Sequence, residues 1–575
     1  MAATVKEASS THLEDSSHEQ SEALTSNSSD AADYSVGVKT VLAITALALA
    51  NCNATLSNTT NTIIRYQVMA VGGASVASWI ANGNFLLTLA CAPIFGSLAD
   101  RFGKKWFIVG GCAVGMAGSF VSSSATSPYT LIGGNILVGV GNAGCIVSIA
   151  ANQEIMPNRL RPYAFGFAQT LNSIAAILGT FLAAVFAQNS MWQWSYRFNG
   201  ICFAVAGLAV LLAYQPPPTA IRRSTALHEI IRGIDYIGIL LLAGSLACLV
   251  IALTWGGSTY TWHSSMIIGL LVGGCVGLVA FGLYEWKAKS PLLDHRLFAN
   301  NNFPILCFVC LVDGMMLLGI NVLYSQEIPD LFQADAVRIA VILSPYLVTS
   351  TVGCLPAGWI MGKTKSYRVL LIAALLWCAL FTGLMALVTS ERLKWALAFS
   401  ALFGIGTAVT TVIPIVALSL SVPSFLFGTA GTLSITARAL GGLTGITIFT
   451  AIYENKYAAH LPKYVGYVLA QAGESQITPG VMKALSSHAP PAIALGAVPG
   501  LPSDLIGPIL GAVKAANAAS WKWVWVAIAC IILANAITCC FLKSVKPAMT
   551  SHVESALEKS TTRDSQMMPK VKSMA

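Results

Sequence analysis

Apolar and polar residues in this chain come in long blocks rather than in short alternation. From residue 38 onward, runs of about twenty apolar residues are separated by brief polar stretches, the length a helix needs to cross the hydrocarbon core of a bilayer. Fourteen spans are predicted, near 38–60, 74–98, 106–125, 129–152, 163–187, 198–215, 234–254, 264–285, 304–325, 337–361, 368–388, 394–420, 425–452 and 521–543. The fold class is therefore all-α and polytopic. Residues 1–35 are rich in Ser, Glu and Asp without apolar periodicity, and read as a disordered tail. Residues 546–575 form a second polar tail. Between the tails the pattern divides into a six-helix bundle (36–215), a segment of loops with two extra helices (216–303), and a second six-helix bundle (304–545) that includes a long loop at 453–520.

Composition agrees with this pattern. Charged residues make up 10% and apolar ones 55%, against about 25% charged in an ordinary soluble domain. The first thirty-odd residues are too polar for a secretory signal peptide, so span one is expected to act as the insertion signal. An even number of spans puts both termini on one side. Loops after even-numbered spans carry Arg101, Lys104, Lys105, Arg159, Arg161, Arg222, Arg223, Arg232, Lys287, Lys289, Arg296, Lys363, Lys365 and Arg368. Short loops after odd-numbered spans carry only Arg65, Arg197, Arg338, Arg392 and Lys394. The positive-inside rule then places both termini in the cytosol and loop 453–520 outside. The net charge of +9 reads as topology rather than as a nucleic-acid surface. With the tail inside, Asn27-Ser28-Ser29 is a glycosylation sequon in form only. The fourteen cysteines are scattered. Cys307 and Cys310 form a C-x-x-C inside an apolar run, where buried small hydrophobes are expected rather than a metal or redox site. No metal or cofactor is expected.

The most charged short hairpin is Gly96-Ser97-Leu98-Ala99-Asp100-Arg101-Phe102-Gly103-Lys104-Lys105. It sits where lipid ends and water begins. Gly103 permits a tight turn. Asp100 follows a helix whose terminal carbonyls repel it, so it needs a cation or the N-terminus of another helix. A weaker copy, Gly358-Trp359-Ile360-Met361-Gly362-Lys363-Thr364-Lys365, follows span ten. With two extra spans between the halves, span ten is the counterpart of span two. Two parallel repeats imply a binding site near mid-membrane between them.

The hairpin resembles the signature loop G-x-L-x-D-R-x-G-[RK]-[RK] of the major facilitator superfamily. Further stretches extend the resemblance. Trp192-Gln193-Trp194 with Arg197-Phe198-Asn199 is similar to that superfamily's opening of span six. Asp235 with Gly238, Glu285 with Pro291-Leu292-Leu293, and Arg438 with Gly441, Gly442 and Gly445 are similar to segments of the fourteen-helix drug:proton antiporters. Within that branch the chain resembles fungal trichothecene-type toxin efflux pumps, a group that also holds siderophore–iron carriers. Three departures bear on mechanism. Asn53-Ala54-Thr55-Leu56-Ser57-Asn58 has an amide where the branch has an acid. Asn135-Ile136-Leu137-Val138-Gly139-Val140-Gly141 has an amide where it has an Arg. The antiporter motif of span five survives only in part over Ala175–Ala184, with Gly179-Thr180 at its G-P step. Loss of an acid and a base together suggests that the two were once coupled.

The resemblance implies a cavity lined by spans one, four, nine and twelve. Asn51, Thr55 and Asn58 share one face of span one. Asn135 and Asn142 share one of span four with Gln153. Gln169 and Asn172 are neighbours on span five, and Asp313 and Tyr324 lie on one side of span nine. These are the substrate-cavity candidates, although helix-to-helix hydrogen bonding explains such amides equally well. Asp100, Arg101, Gly103, Asp313 and Arg438 are the gating and coupling candidates. Asp313 is either a coupling acid or the partner of a polar group, and Arg438 either an ion-pair residue or a functional one. Glu154, Asp235, Glu285 and Glu327 are the other acids near or in spans. Small-residue spacings at Gly111/Gly115, Gly269/Gly273/Gly277 and Gly441/Gly445 point to close helix contacts.

A neutral lumen of this kind suits an uncharged amphipathic molecule. The leading expectation is a secondary active exporter of a toxin, drug or fungal metabolite in exchange for protons, working by alternating access as a monomer in the plasma membrane, with the vacuolar membrane left open. The alternative is a siderophore–iron importer of the same fold, which the scarcity of lumenal Lys and Arg disfavours. No phosphate-binding loop G-x-x-x-x-G-K-[ST] is present. No H-E-x-x-H and no G-x-S-x-G appear either, so an enzyme is not expected.

Overall fold

The computed structural model describes residues 37–546 and residue 549, apart from 73–75, 218–233, 258–259, 289–290, 299, 333–335, 473, 486–494, 497 and 499–500. The N-terminal tail, with the sequon at Asn27, and all of the C-terminal tail but residues 546 and 549 lie outside the described residues. Among the described residues fourteen helices are long and apolar enough to cross a membrane. In the first half they are span one Val38–Thr59, two Ala77–Phe102, three Lys104–Ser123, four Pro128–Glu154, five Arg161–Gln188 and six Gln193–Ala213. Spans seven, Tyr236–Trp255, and eight, Ser265–Lys287, follow. The second half holds nine Asn302–Phe332, ten Ala336–Thr364, eleven Tyr367–Met385, twelve Leu393–Ser419, thirteen Phe427–Gln471 and fourteen Ser503–Cys539. Among the described residues the β structure is a single isolated bridge between Gly256 and Tyr260.

Local chemistry sets several of the ends. Span four starts at Pro128, whose missing N–H costs nothing at the first helical position, and Ser127 Oγ accepts from Thr130 N at 3.2 Å. Spans two and three are separated only by Gly103 at φ +101°, a conformation other residues rarely adopt. Spans three and four pack backbone to backbone through Gly111, Gly141 and Gly144, where an added Cβ would lie 2.5–2.8 Å from opposing backbone atoms. The glycine spacing in span eight behaves differently. Gly277 abuts Ser245 of span seven, but Gly269 and Gly273 face open space, so they mark no helix contact. Lipid, rather than another helix, is the natural neighbour of that face.

Three elements depart from the expected boundaries. Span one is followed by a separate short helix, Ile64–Val71. Span thirteen runs 45 residues, to Gln471 rather than 452. Span fourteen begins at Ser503 rather than 521. At 1.5 Å per residue, span thirteen is about 68 Å long, roughly twice the hydrocarbon thickness. Much of the expected loop 453–520 is therefore helix. It has an apolar core of its own, built from Leu461, Val465, Leu469, Val481, Ile509 and Val513. One apolar core lies within the first half and includes Leu47, Ile108, Val138 and Phe203; a second, centred on Leu306, Leu323, Leu371, Val412 and Phe449 of the second half, also takes in Ile146, Ile149 and Phe165 of the first.

Candidate functional site

The two halves meet most closely at the end that carries the basic hairpins. Asp100, at the close of span two, is 6% exposed. Its Oδ1 accepts from Gly428 N at 2.8 Å, and its Oδ2 accepts from Thr429 N at 2.8 Å and Thr429 Oγ1 at 2.9 Å. These donors form the first turn of span thirteen, so the carboxylate sits on the positive end of a long helix in the other half. Lys104 Nζ, itself buried, lies 2.8 Å from Asp100 Oδ1 and 2.6 Å from Glu154 Oε1. The carboxylate thus has both the cation and the helix N-terminus its position demands. The approach requires glycine: a Cβ on Gly428 would lie 2.5 Å from Asp100 Oδ1 and 2.6 Å from Gly96 O. Arg101 turns away and donates to Pro291 O at 3.0 Å, while Lys105 Nζ donates to Leu211 O at 2.9 Å.

Around this contact lie two more links between the halves. Arg161 is 1% exposed; its Nη1 donates to Ser419 O at 3.4 Å and its guanidinium lies 4.8 Å above the Phe427 ring. Ser419 Oγ donates to Gln153 Oε1 at 3.2 Å. Sequence reasoning placed Arg161 in a basic loop and missed this role, since nothing local marks a loop arginine as buried.

The second hairpin packs in the mirrored position. A Cβ on Gly166 of span five would lie 2.9 Å from Cys354 O of span ten, Gly358 abuts Pro162 O, and Gly362 abuts the Tyr163 ring. Spans two with thirteen and five with ten are thus two pairs that the internal repeat exchanges. They differ in chemistry. Gly362 occupies the place that Asp100 holds in the first hairpin, so one contact is charged and the other steric.

The cavity candidates separate into groups. Asn51, Thr55, Gln169 and Asn172 are half-buried, and Thr55 Oγ1 donates to Asn172 Oδ1 at 2.7 Å. Gln169 and Asn172 lie one to two turns beyond Gly166, just past the point where spans five and ten touch. Asn58 is exposed and farther out, with Asn84 Nδ2 at 3.5 Å. Asn135 and Asn142 do not line a cleft. Both are buried; Asn135 Nδ2 donates to Ile80 O at 2.9 Å, and Asn142 Oδ1 accepts from Ser57 Oγ at 3.2 Å beside Asn199. Buried amides need partners, and here neighbouring helices of the same half supply them. Tyr324 is also corrected: it is 1% exposed and packs edge-on to Trp525 of span fourteen, 6.1 Å between centroids. The proposed ancestral coupling of positions 53 and 135 does not fit either. Ser57 meets Asn142, and from that level the two positions diverge along antiparallel spans by about 16 Å.

Asp313 faces span thirteen. Its Oδ2 lies 2.8 Å from Arg438 Nη2, which also donates to Thr411 O at 3.1 Å. The candidate acid and the candidate base therefore neutralise each other. A different kind of acid is Glu327, 2% exposed, near the far end of span nine. Both its oxygens accept from one group, Trp525 Nε1, at 3.0–3.1 Å, and among the described residues no cation pairs with it. One turn on, Asp330 Oδ2 accepts from Tyr453 Oη and Trp521 Nε1, each at 3.1 Å. Sequence reading had put Glu327 among span-end acids, because the extension of span nine to Phe332 was not visible. No group of metal-ligating side chains occurs among the described residues.

Comparison with known proteins gives a consistent result. The model of the family described as fungal trichothecene efflux pump matches residues 1–569. The MFS-type transporter gkaD of Penicillium citrinum is 27% identical over 446 residues, 76% of this chain and 74% of that protein. Efflux pump FUS6 of Gibberella moniliformis is 28% identical over 406 residues, 68% of this chain and 70% of that protein. Among solved structures, the major facilitator superfamily proton:xylose symporter XylE superposes with a TM-score of 0.51 at 14% identity, over 88% of this chain and 97% of that one. That likeness concerns the fold alone.

Proposed function

Because the chain belongs to the fungal trichothecene efflux pump family of major facilitator transporters, we propose that it exports an uncharged, amphipathic small molecule across the plasma membrane in exchange for protons, by alternating access. The observation that carries this reading is the one-sided closure. Asp100, Arg161 and Gln153 tie the halves together at the end with the basic loops, which the positive-inside rule assigns to the cytosol. The conformation is then the one closed to the cytosol. Opening it requires Asp100 to leave the N-terminus of span thirteen, while the mirrored pair of spans five and ten parts as well.

The chemistry of the cleft supports a neutral substrate. Asn51, Thr55, Gln169 and Asn172 offer donors and acceptors without charge. Arg438 offers no anion site, since Asp313 neutralises it. That leaves import of an anionic metal chelate without a recognition group. For coupling we assign Glu327, a buried intramembrane carboxyl with one hydrogen-bond donor and, among the described residues, no counter-ion. A membrane potential of 100 mV supplies about 2.3 kcal/mol per charge, on the order of fiftyfold in concentration.

The test is efflux of a panel of neutral and charged fluorescent compounds from cells expressing the wild type or Asp100→Ala, with and without a protonophore. Protonophore-sensitive efflux of neutral compounds that Asp100→Ala abolishes is expected. Efflux indifferent to the protonophore would remove the proton from the reading, and accumulation faster than in empty cells would reverse its direction.

A further inference from the structure

Spans seven and eight bring two acids together outside the gate. Asp235 caps span seven, and its Oδ1 accepts from Gly238 N and from Tyr284 Oη, both at 2.9 Å. Its other oxygen, Oδ2, is buried without a partner. Glu285, in the last turn of span eight, is 5% exposed, and Asp235 is 9% exposed. A Cβ placed on Gly238 would touch Asp235 Oδ2 and lie 2.9 Å from Glu285 Oε1. The two oxygens therefore flank one point, and Oδ2 lacks the donor that a proton on either acid would supply.

Glu285 also holds the loop that follows it. Its Oε1 accepts from Leu292 N at 3.0 Å and its Oε2 from Leu293 N at 3.3 Å. The carbonyls of the same loop face span two: Leu292 O accepts from Ser97 Oγ at 2.9 Å, and Pro291 O accepts from Arg101 Nη2 at 3.0 Å. Ser97 and Arg101 lie on either side of Asp100. A continuous chain of hydrogen bonds thus runs from the acid pair, through three loop residues, to the helix turn that closes the gate. The titratable group that touches the pair is Tyr284 on span eight, and the nearest cation bound to the same loop is Arg101 of span two, engaged on the Pro291 carbonyl.

We propose that Asp235 and Glu285 hold one proton between them, and that this proton latches the gate shut through the loop at 291–293. Two carboxylates in one buried site do not both ionise cheaply. With the proton in place the pair carries one negative charge, and Glu285 keeps its grip on Leu292 N and Leu293 N. When the proton passes to cytosolic water the pair carries two charges. Repulsion then drives Glu285 away from Asp235, the loop loses its anchor, and Ser97 and Arg101 lose their acceptors. Cytosolic acidification therefore holds the closed form and alkalinisation releases it. The two extra spans become a pH-responsive strap on a twelve-helix transporter. This inference rests on the reading of Asp100 as the gate.

The test is hydrogen–deuterium exchange of the Gly428 and Thr429 amides, which Asp100 covers, in the full-length protein in nanodiscs. Rates are corrected for intrinsic pH dependence. From about pH 5.5 to about pH 8.5, a range open to buried carboxyls, protection in the wild type is expected to fall at least tenfold. In Asp235→Asn, whose amide donates permanently to Glu285, it should stay constant. Glu285→Gln removes the same titration but keeps only one of the two bonds to the loop, so its profile should be flat at a lower protection, and it serves should Asp235→Asn fold poorly. A flat wild-type profile, or an equal fall in the amide variants, overturns the latch alone. Protection unchanged in Asp100→Ala overturns the gate and, with it, the latch.

Discussion

Arg438 Nη2 lies 2.8 Å from Asp313 Oδ2, and both side chains are buried between spans nine and thirteen. The backbones are as close as the charges. A Cβ on Gly314 would collide with Arg438 O, and one on Gly441 with Leu311 O. A buried pair of this kind contributes little net stability, yet removing one partner costs about 3–5 kcal/mol because the other charge is stranded. Asp313→Asn and Arg438→Met alone are therefore expected to lower folded yield sharply. Asp313→Leu combined with Arg438→Met should restore both yield and efflux. Detergent size-exclusion profiles and efflux rates check this; a double variant that folds well but does not transport would make Asp313 a coupling acid after all.

The gate is expected to be asymmetric. Asp100 accepts three hydrogen bonds from span thirteen, and charge-assisted bonds contribute about 1.5–3 kcal/mol each. Their loss shifts the balance between closed and open forms by several kcal/mol, well over tenfold. Gly428→Ala, whose new methyl would meet Asp100 Oδ1 at 2.5 Å, should act as strongly as Asp100→Ala. Gly362→Ala meets only the Tyr163 ring, a side chain able to swing aside, and its effect should be smaller. Efflux per molecule at the cell surface distinguishes these cases. Equal losses at positions 362 and 428 would show that steric fit alone closes the halves.

Much of this was legible in the sequence, for a physical reason. A twenty-residue apolar run has few alternatives to a membrane helix, and Asp100 after a helix C-terminus declares its need for a partner. What the partner was could not be read, because Gly428 and Thr429 lie more than 300 residues away and carry no charge. The helical extension of span thirteen was hidden by Lys456, His460 and Lys463. They end the hydropathy signal where water begins, but they do not end the helix. Asn135 and Asn142 do share one face of span four, but at those positions it is not a cavity-facing one. That face packs on other helices of the same half, and periodicity does not distinguish a buried face from a cleft.

The extension beyond span thirteen should be a separately stable layer. Leu469 and Val465 are fully buried against Val481, Ile509 and Val513. Truncating a buried Leu to Ala costs about 2–5 kcal/mol, more than a small local core can lose. Leu469→Ala is expected to open residues 461–516 to limited proteolysis while leaving the membrane-embedded helices protected. Digestion followed by mass spectrometry reads this directly. Cleavage that spreads into spans nine to twelve would show that the layer and the bundle fold as one unit.

Glu327 gives the most direct view of coupling. It shares the core of the second half with Trp525, whose indole donates to both oxygens, and among the described residues it has no charged neighbour of opposite sign. A protonated carboxyl fits this surrounding; an ionised one would draw Asp330, one turn away, into a second unfavourable contact. Glu327→Gln imitates the protonated form. Its carbonyl still accepts from Trp525, so folded yield and melting temperature should stay near those of the wild type. Uphill efflux should nevertheless fall to the level of cells without the protein, while exchange of labelled for unlabelled substrate across the membrane continues, since the halves still rock. Trp525→Phe takes away the donor without touching the acid, and should shift the pH dependence of efflux rather than abolish it. Uphill pumping at full rate by Glu327→Gln, still collapsed by a protonophore, would sink the assignment and move the search to Asp330.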